Sequence, residues 1–240
     1  MKVLIPLATL AFGITIGWLL PRTGTIKPQT RPPLLPSLGE VTGDTFALTT
    51  VLEETTGHRI IPIGPEHAAL RSHLIQTAGS VARRMSQPDS PARRKRRINE
   101  VSALFEEALL AEISAHPDFT CTFPQTKDGR TQRSGYPDLR VEHHPTGTVA
   151  YLDPKLFEET SVGSSFRTFY YEPSPGRTKV TEDALHLLLG FPHDGKTQAW
   201  TFGPPTLVDL SSLKVTLKAE FSASNRDLYS PEEPATECGR

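Results

Sequence analysis

Asp138, Asp153 and Lys155 are spaced as metal-assisted hydrolysis would need them. Asp138 follows Pro137 and opens the apolar segment Leu139 to His143, while Asp153 closes a second such segment, Val149 to Leu152, with Lys155 two residues beyond. Pro145-Thr146-Gly147 between them has the composition of a tight turn. A hairpin closed there brings the start of its first strand beside the end of its second, so both aspartates are expected at one end of a sheet. Strand alternation places Lys155 on the same face as Asp153. Two carboxylates and an ammonium are what phosphodiester hydrolysis with Mg²⁺ or Mn²⁺ requires: hard oxygen ligands for an ion that also takes phosphate and water, and a cation beside the attacking water. The plainer alternative is an Asp138 that caps a turn and a surface pair of Asp153 with Lys155.

Other chemistries find less support. No G-x-S-x-G elbow is present, and Cys121 and Cys238 lie far apart, outside any nucleophile or paired-zinc context. Adjacent His143 and His144 would point to opposite faces of a strand, and His67 and His73 are six apart, which is not a same-face helical spacing. Bulk charge is no guide either, because 26 Lys and Arg stand against 27 Asp and Glu and any polyanion contact must be a local patch.

Pro137-Asp138 followed by Asp153-Pro154-Lys155 resembles the signature of the PD-(D/E)xK nuclease superfamily, the restriction-endonuclease-like fold. The resemblance runs from about Ser90 to Phe221 in element order and is specific only at those five residues. It implies that Asp138 and Asp153 hold Mg²⁺ or Mn²⁺, that Lys155 orients or activates water, and that the substrate is DNA. It also implies a further acidic residue from the first core helix. On a helical wheel Glu106 and Glu112 enter the apolar stripe of Ile98, Val101, Phe105, Ala108, Leu109 and Ile113. Glu106 is the choice and Glu112 the alternative. Pro-Asp recurs at residues 88 and 117, and D-x-K recurs at Asp194-Gly195-Lys196, which reads as a turn. Pro154 departs from the pattern, since proline removes a backbone donor from what should be a central strand.

Arg93-Arg94-Lys95-Arg96-Arg97, with Arg83 and Arg84, gives seven basic residues against the single Asp89 over residues 83 to 97. The cluster suits a phosphate backbone, anionic lipid headgroups or plain solvation of a helix face. Arg167, among aromatic residues beyond the motif, has the fork geometry to grip a phosphate. His186 in the apolar run Leu185 to Leu189 reads as a satisfied buried histidine.

The elements that must position these groups can be outlined. Thr45 to Leu52 and Arg59 to Ile63 read as short strands. Pro65 suits the start of a helix to about Met85, and Ser90 with Pro91 opens a second helix to about Ala115. Strands are expected at Phe119 to Phe123, Leu139 to His143, Val149 to Leu152, Phe166 to Tyr171, Ala199 to Phe202 and Leu213 to Ala223. Thr181 to Leu189 reads as a helix closed by Gly190. The expected class is α/β, a restriction-endonuclease-like core of helix, three strands, helix and strand behind an N-terminal transmembrane helix. Val3 to Leu20 is 18 residues long and uncharged, nearly enough at ~1.5 Å per residue to cross a ~30 Å hydrocarbon core. No small-residue cleavage site follows it, which favours an uncleaved anchor over a signal. Residues 1–21 are thus assigned as anchor or signal, 22–43 as a proline-rich linker, 44–229 as the nuclease-like domain and 230–240 as a flexible tail. The expected location is a membrane contacted through residues 3–20, with the domain leaning to the extracytoplasmic side. Gly13 and Gly17 would let two such helices meet, which leaves a homodimer open. A non-catalytic membrane-tethered binding module with the same fold is the competing functional class.

Overall fold

A computed structural model describes residues 43–164, 169–174, 176–218 and 220. The proposed anchor, its linker up to residue 42 and the C-terminal tail lie outside these residues, as does Arg167. Among the described residues no helix is long and apolar enough to cross a membrane.

The chain forms a mixed α/β domain. Strand β1 (Thr45–Ala47) leads into helix α1 (Leu48–Thr56), followed by β2 (Ile60–Ile61), α2 (Ala68–Met85) and α3 (Ile98–Ser114). Strands β3 (Phe119–Thr122), β4 (Leu139–His143), β5 (Thr148–Glu158), β6 (Ala184–His193), β7 (Thr206–Asp209) and β8 (Lys214–Thr216) complete it. The six-stranded sheet runs β2-β6-β5-β4-β3, with β7 also on β6, while β1 and β8 pair separately. Neighbours β3, β4 and β5 are antiparallel, and β5 and β6 are parallel.

Alternation divides the sheet into two faces. Leu139, Val141, Ala150, Leu152, Leu185, Leu187, Leu189 and Phe191 point into the main core, formed with α2 and α3. The other face packs Val149, Tyr151 and Ala184 against α1, Val180 and Leu210. By the same alternation Asp153 and Lys155 belong to this second face.

Several elements depart from the pattern reading. Thr181 to Leu189 is not a helix: Ala184–His193 is the strand between β5 and β7. Because both its faces are covered, its apolar residues run without a period-2 gap, and such a run imitates a buried helix. Gly190 is mid-strand rather than a helix cap, and a Cβ there would stand 2.9 Å from Thr206 Oγ1 and 3.1 Å from Phe157 Cε1. Consequently, among the described residues the chain between β5 and β6 contains no helix beyond the short turn Glu159–Ser161, where the expected core order requires one.

The helix expected from Ser90 is also broken. Ser90 caps only a 3-10 turn, Pro91–Arg94, by accepting from the Ala92 N–H, and α3 begins at Ile98. The Lys95 carbonyl, which a continuous helix would use internally, accepts instead from Trp200 Nε1 at 3.0 Å. Five adjacent cations would also repel along a helix. Thr45 to Leu52 turns helical at Leu48 because Leu48 and Leu52, one turn apart, are both fully buried. Ala199 to Phe202 makes only an isolated bridge, His193 to Phe202. Among the described residues of Leu213 to Ala223 only Lys214–Thr216 is a strand, and it pairs with β1.

Candidate functional site

The β4–β5 hairpin turns at Gly147, whose φ of +64° lies in the left-handed region open to glycine. Its register sets Leu139 opposite Leu152, which carries Asp138 to Asp153. The Asp138 N–H donates to the Leu152 carbonyl at 3.1 Å and fastens the start of β4 to β5. Strand β5 continues through Pro154 to Glu158, paired throughout with β6. Since the Leu152 carbonyl faces β4, alternation turns the Pro154 nitrogen to that side too, opposite Pro137 and before β4 begins at Leu139, so no ladder acceptor waits there. The proline that breaks the expected pattern therefore costs the sheet no ladder bond.

Lys155 Nζ donates to Asp153 Oδ1 at 2.7 Å and lies 3.8 Å from Asp138 Oδ2. Asp153 is 2% exposed, and its second oxygen, Oδ2, is buried without a hydrogen-bond partner. Burial first, then the charge and contact of Asp153, push the Asp138 carboxyl up to about 7. Two crowded carboxylates, one with an unsatisfied buried oxygen, fit a hard divalent cation that takes its remaining ligands from phosphate and water.

A stability consequence follows from Asp138. Its carboxyl binds a proton in the folded chain up to about pH 7 but in the unfolded chain only up to the ordinary carboxylate range, so the metal-free fold loses stability as pH rises between the two. Asp138→Asn removes the ionisation. In EDTA it is expected to stabilise the protein at pH 8 by on the order of 1–3 kcal/mol and to change little at pH 5. Urea unfolding at the two pH values measures this, and an equal effect at both would contradict the pairing.

The other sequence-derived residues divide. Glu106 reaches the site's electrostatics from α3: burial, then the Asp138 charge, raises its carboxyl. Its Oε2, however, accepts from Arg133 Nη2 at 3.0 Å. Among the described residues no three His, Cys, Asp or Glu side chains are grouped so as to share a metal. Glu112 pairs with Arg84 of α2 at 2.6 Å. In the basic cluster Arg94, Arg96 and Arg97 are exposed. Arg93 is half-buried and donates to the Ser86 carbonyl at 3.1 Å.

Two neighbours escaped the sequence reading. Tyr136, beside the motif, is joined to the fully buried His186 through Tyr136 Oη and His186 Nδ1 at 2.6 Å. Burial holds the imidazole down to about 4, hence neutral, and its Nε2 has no partner. Lys179 is 3% exposed, and burial lowers its amine against the opposing charges of Asp138, Glu106 and Asp153. Nothing in its local sequence marks it, because tertiary folding alone brings it there.

Comparison with known proteins places the chain in a family. The model of the type II restriction enzyme MjaV family matches residues 41–232. The type II restriction enzyme MjaV of Methanocaldococcus jannaschii is 30% identical over 197 residues, covering 77% of this chain and 85% of that protein. No solved structure matches significantly. With the match spanning every strand and helix that frames Asp138, Asp153 and Lys155, the chain belongs to the type II restriction enzyme MjaV family.

Proposed function

We propose that the chain is a metal-dependent endodeoxyribonuclease that hydrolyses DNA phosphodiester bonds at Asp138, Asp153 and Lys155. The observation that carries this is the placement of Lys155 Nζ 2.7 Å from one aspartate and 3.8 Å from the other. Family membership supports DNA as the substrate, since the relative's name describes a restriction enzyme. The resemblance to the PD-(D/E)xK superfamily assigns the roles. Asp138 and Asp153 hold Mg²⁺ or Mn²⁺, which when bound supplies charge neutralisation at the phosphate and a more acidic water. Lys155, fixed by its bond to Asp153, orients the attacking water. Water oxygen bonds to phosphorus, the bond to the leaving oxygen breaks, and the strand ends in a phosphate and a hydroxyl. Glu106, tied to Arg133, tunes the field rather than binding the ion.

The test is incubation of the full chain with long phage DNA in Mg²⁺, in Mn²⁺ and in EDTA, followed by sequencing of the ends. Discrete fragments sharing a short terminal sequence, absent in EDTA, are expected. Intact DNA under every condition would overturn the reading.

For the basic cluster, exposed Arg94, Arg96 and Arg97 are the residues free to meet phosphates. Replacing all three with Gln is expected to weaken DNA binding and to lower the slope of log affinity against log salt by about 2–3, one ion release per contact. Binding across a salt series measures it, and an unchanged slope would mean the cluster is only solvated.

A further inference from the structure

Lys179 precedes β6 and is clamped under the loop that joins β3 to β4. The Lys127 N–H donates to the Thr178 carbonyl at 2.9 Å, and Lys179 Nζ donates to the Gln132 carbonyl at 3.3 Å. Next to Gln132, Arg133 grips Glu106. Lys179 forms part of the wall of two clefts, one of about 340 Å³ with Tyr136 and Arg177, the other of about 520 Å³ with Lys127 and Arg140.

The cations near the carboxylates are engaged unequally. Lys155 is bonded to Asp153 and close to Asp138, and Arg133 is bonded to Glu106. Lys179 forms no ion pair within 4.0 Å among the described residues, and its single long hydrogen bond uses one of three donors. At 3% exposure, water does little to satisfy the rest. Burial pulls its amine below the ordinary lysine range, and the charges of Asp138, Glu106 and Asp153 oppose that fall. A divalent cation on the aspartate pair would cancel much of that opposition, leaving a buried ammonium in need of an anion. The phosphate being cut is the anion that arrives there.

We propose that Lys179 is a second catalytic lysine, whose buried Nζ binds a non-bridging oxygen of the scissile phosphate once the aspartate pair is loaded. This rests on the nuclease reading above. Lys155 then serves the water and Lys179 the phosphate, and metal loading is coupled to substrate binding through their shared carboxylates.

Lys179→Gln separates charge from structure, because the amide N–H can still reach the Gln132 carbonyl. The full chain carrying it should cleave DNA roughly 100- to 1,000-fold more slowly in Mg²⁺, the cost of removing one preorganised donor to the transition state. Without DNA, calorimetry should find Mn²⁺ bound at least about threefold more tightly, since a like charge has gone. Lys179→Arg, which keeps the charge, should recover at least about a tenth of the wild-type rate. Cleavage by Lys179→Gln within about threefold of wild type would show that Lys179 only ties down the loop. A slow Lys179→Gln with weakened Mn²⁺ binding would likewise overturn the proposal in favour of a structural role. A wild type that cuts no DNA with either metal would remove the nuclease reading itself, an outcome distinct from both.

Discussion

Asp153→Asn is expected to reduce DNA cleavage by at least about a thousandfold and to weaken Mn²⁺ binding at least about tenfold, with the fold intact. The amide preserves the shape, and its oxygen still accepts from Lys155 Nζ, now 2.7 Å from Asp153 Oδ1. What disappears is the charge, and with it the buried Oδ2, the oxygen without a hydrogen-bond partner. Asp138 should register the change, because Asp153 is the second cause, after burial, of its rise to about 7. Its carboxyl should titrate lower in the variant. Calorimetry with Mn²⁺, cleavage kinetics and urea unfolding on one preparation check the three statements together.

Lys155→Ala should separate the two halves of the site. Cleavage is expected to fall by roughly 100- to 10,000-fold, the range for loss of a positioned proton-transfer or charge-stabilising group. Metal affinity should hold or increase, since Lys155 is a cation already seated against Asp153 and near Asp138, where an incoming ion competes with it. A parallel loss of metal binding would mean that Lys155 shapes the pocket instead of acting on water. Mn²⁺ titration of the DNA-free variant distinguishes the cases.

How far the sequence disclosed this site depends on which contacts are local. The hairpin was legible because Pro145-Thr146-Gly147 separates two short apolar segments, and its closure alone carries Asp138 to Asp153. Lys155 followed from alternation. Strand β6 was misread because burial on both faces erases the period that separates strand from helix. The break before α3 depends on the Lys95 carbonyl finding Trp200 more than a hundred residues later, which no local pattern records. Glu106 emerged from the wheel as an acidic residue in an apolar stripe, but its partner Arg133 comes from a loop without periodicity. Lys179 is the limiting case: it lies 24 residues beyond Lys155, in a stretch with no regular structure, and joins the site only when β6 docks in parallel on β5.

DNA cleavage by this chain depends on the charge of the Asp138 and Asp153 pair. Single-turnover digestion of long linear DNA by the wild-type chain and by Asp153→Asn, purified side by side and assayed in Mg²⁺, tests it most directly. Discrete fragments from the wild type and intact DNA from the variant are predicted. Equal cutting by both, or no cutting by the wild type, would contradict it.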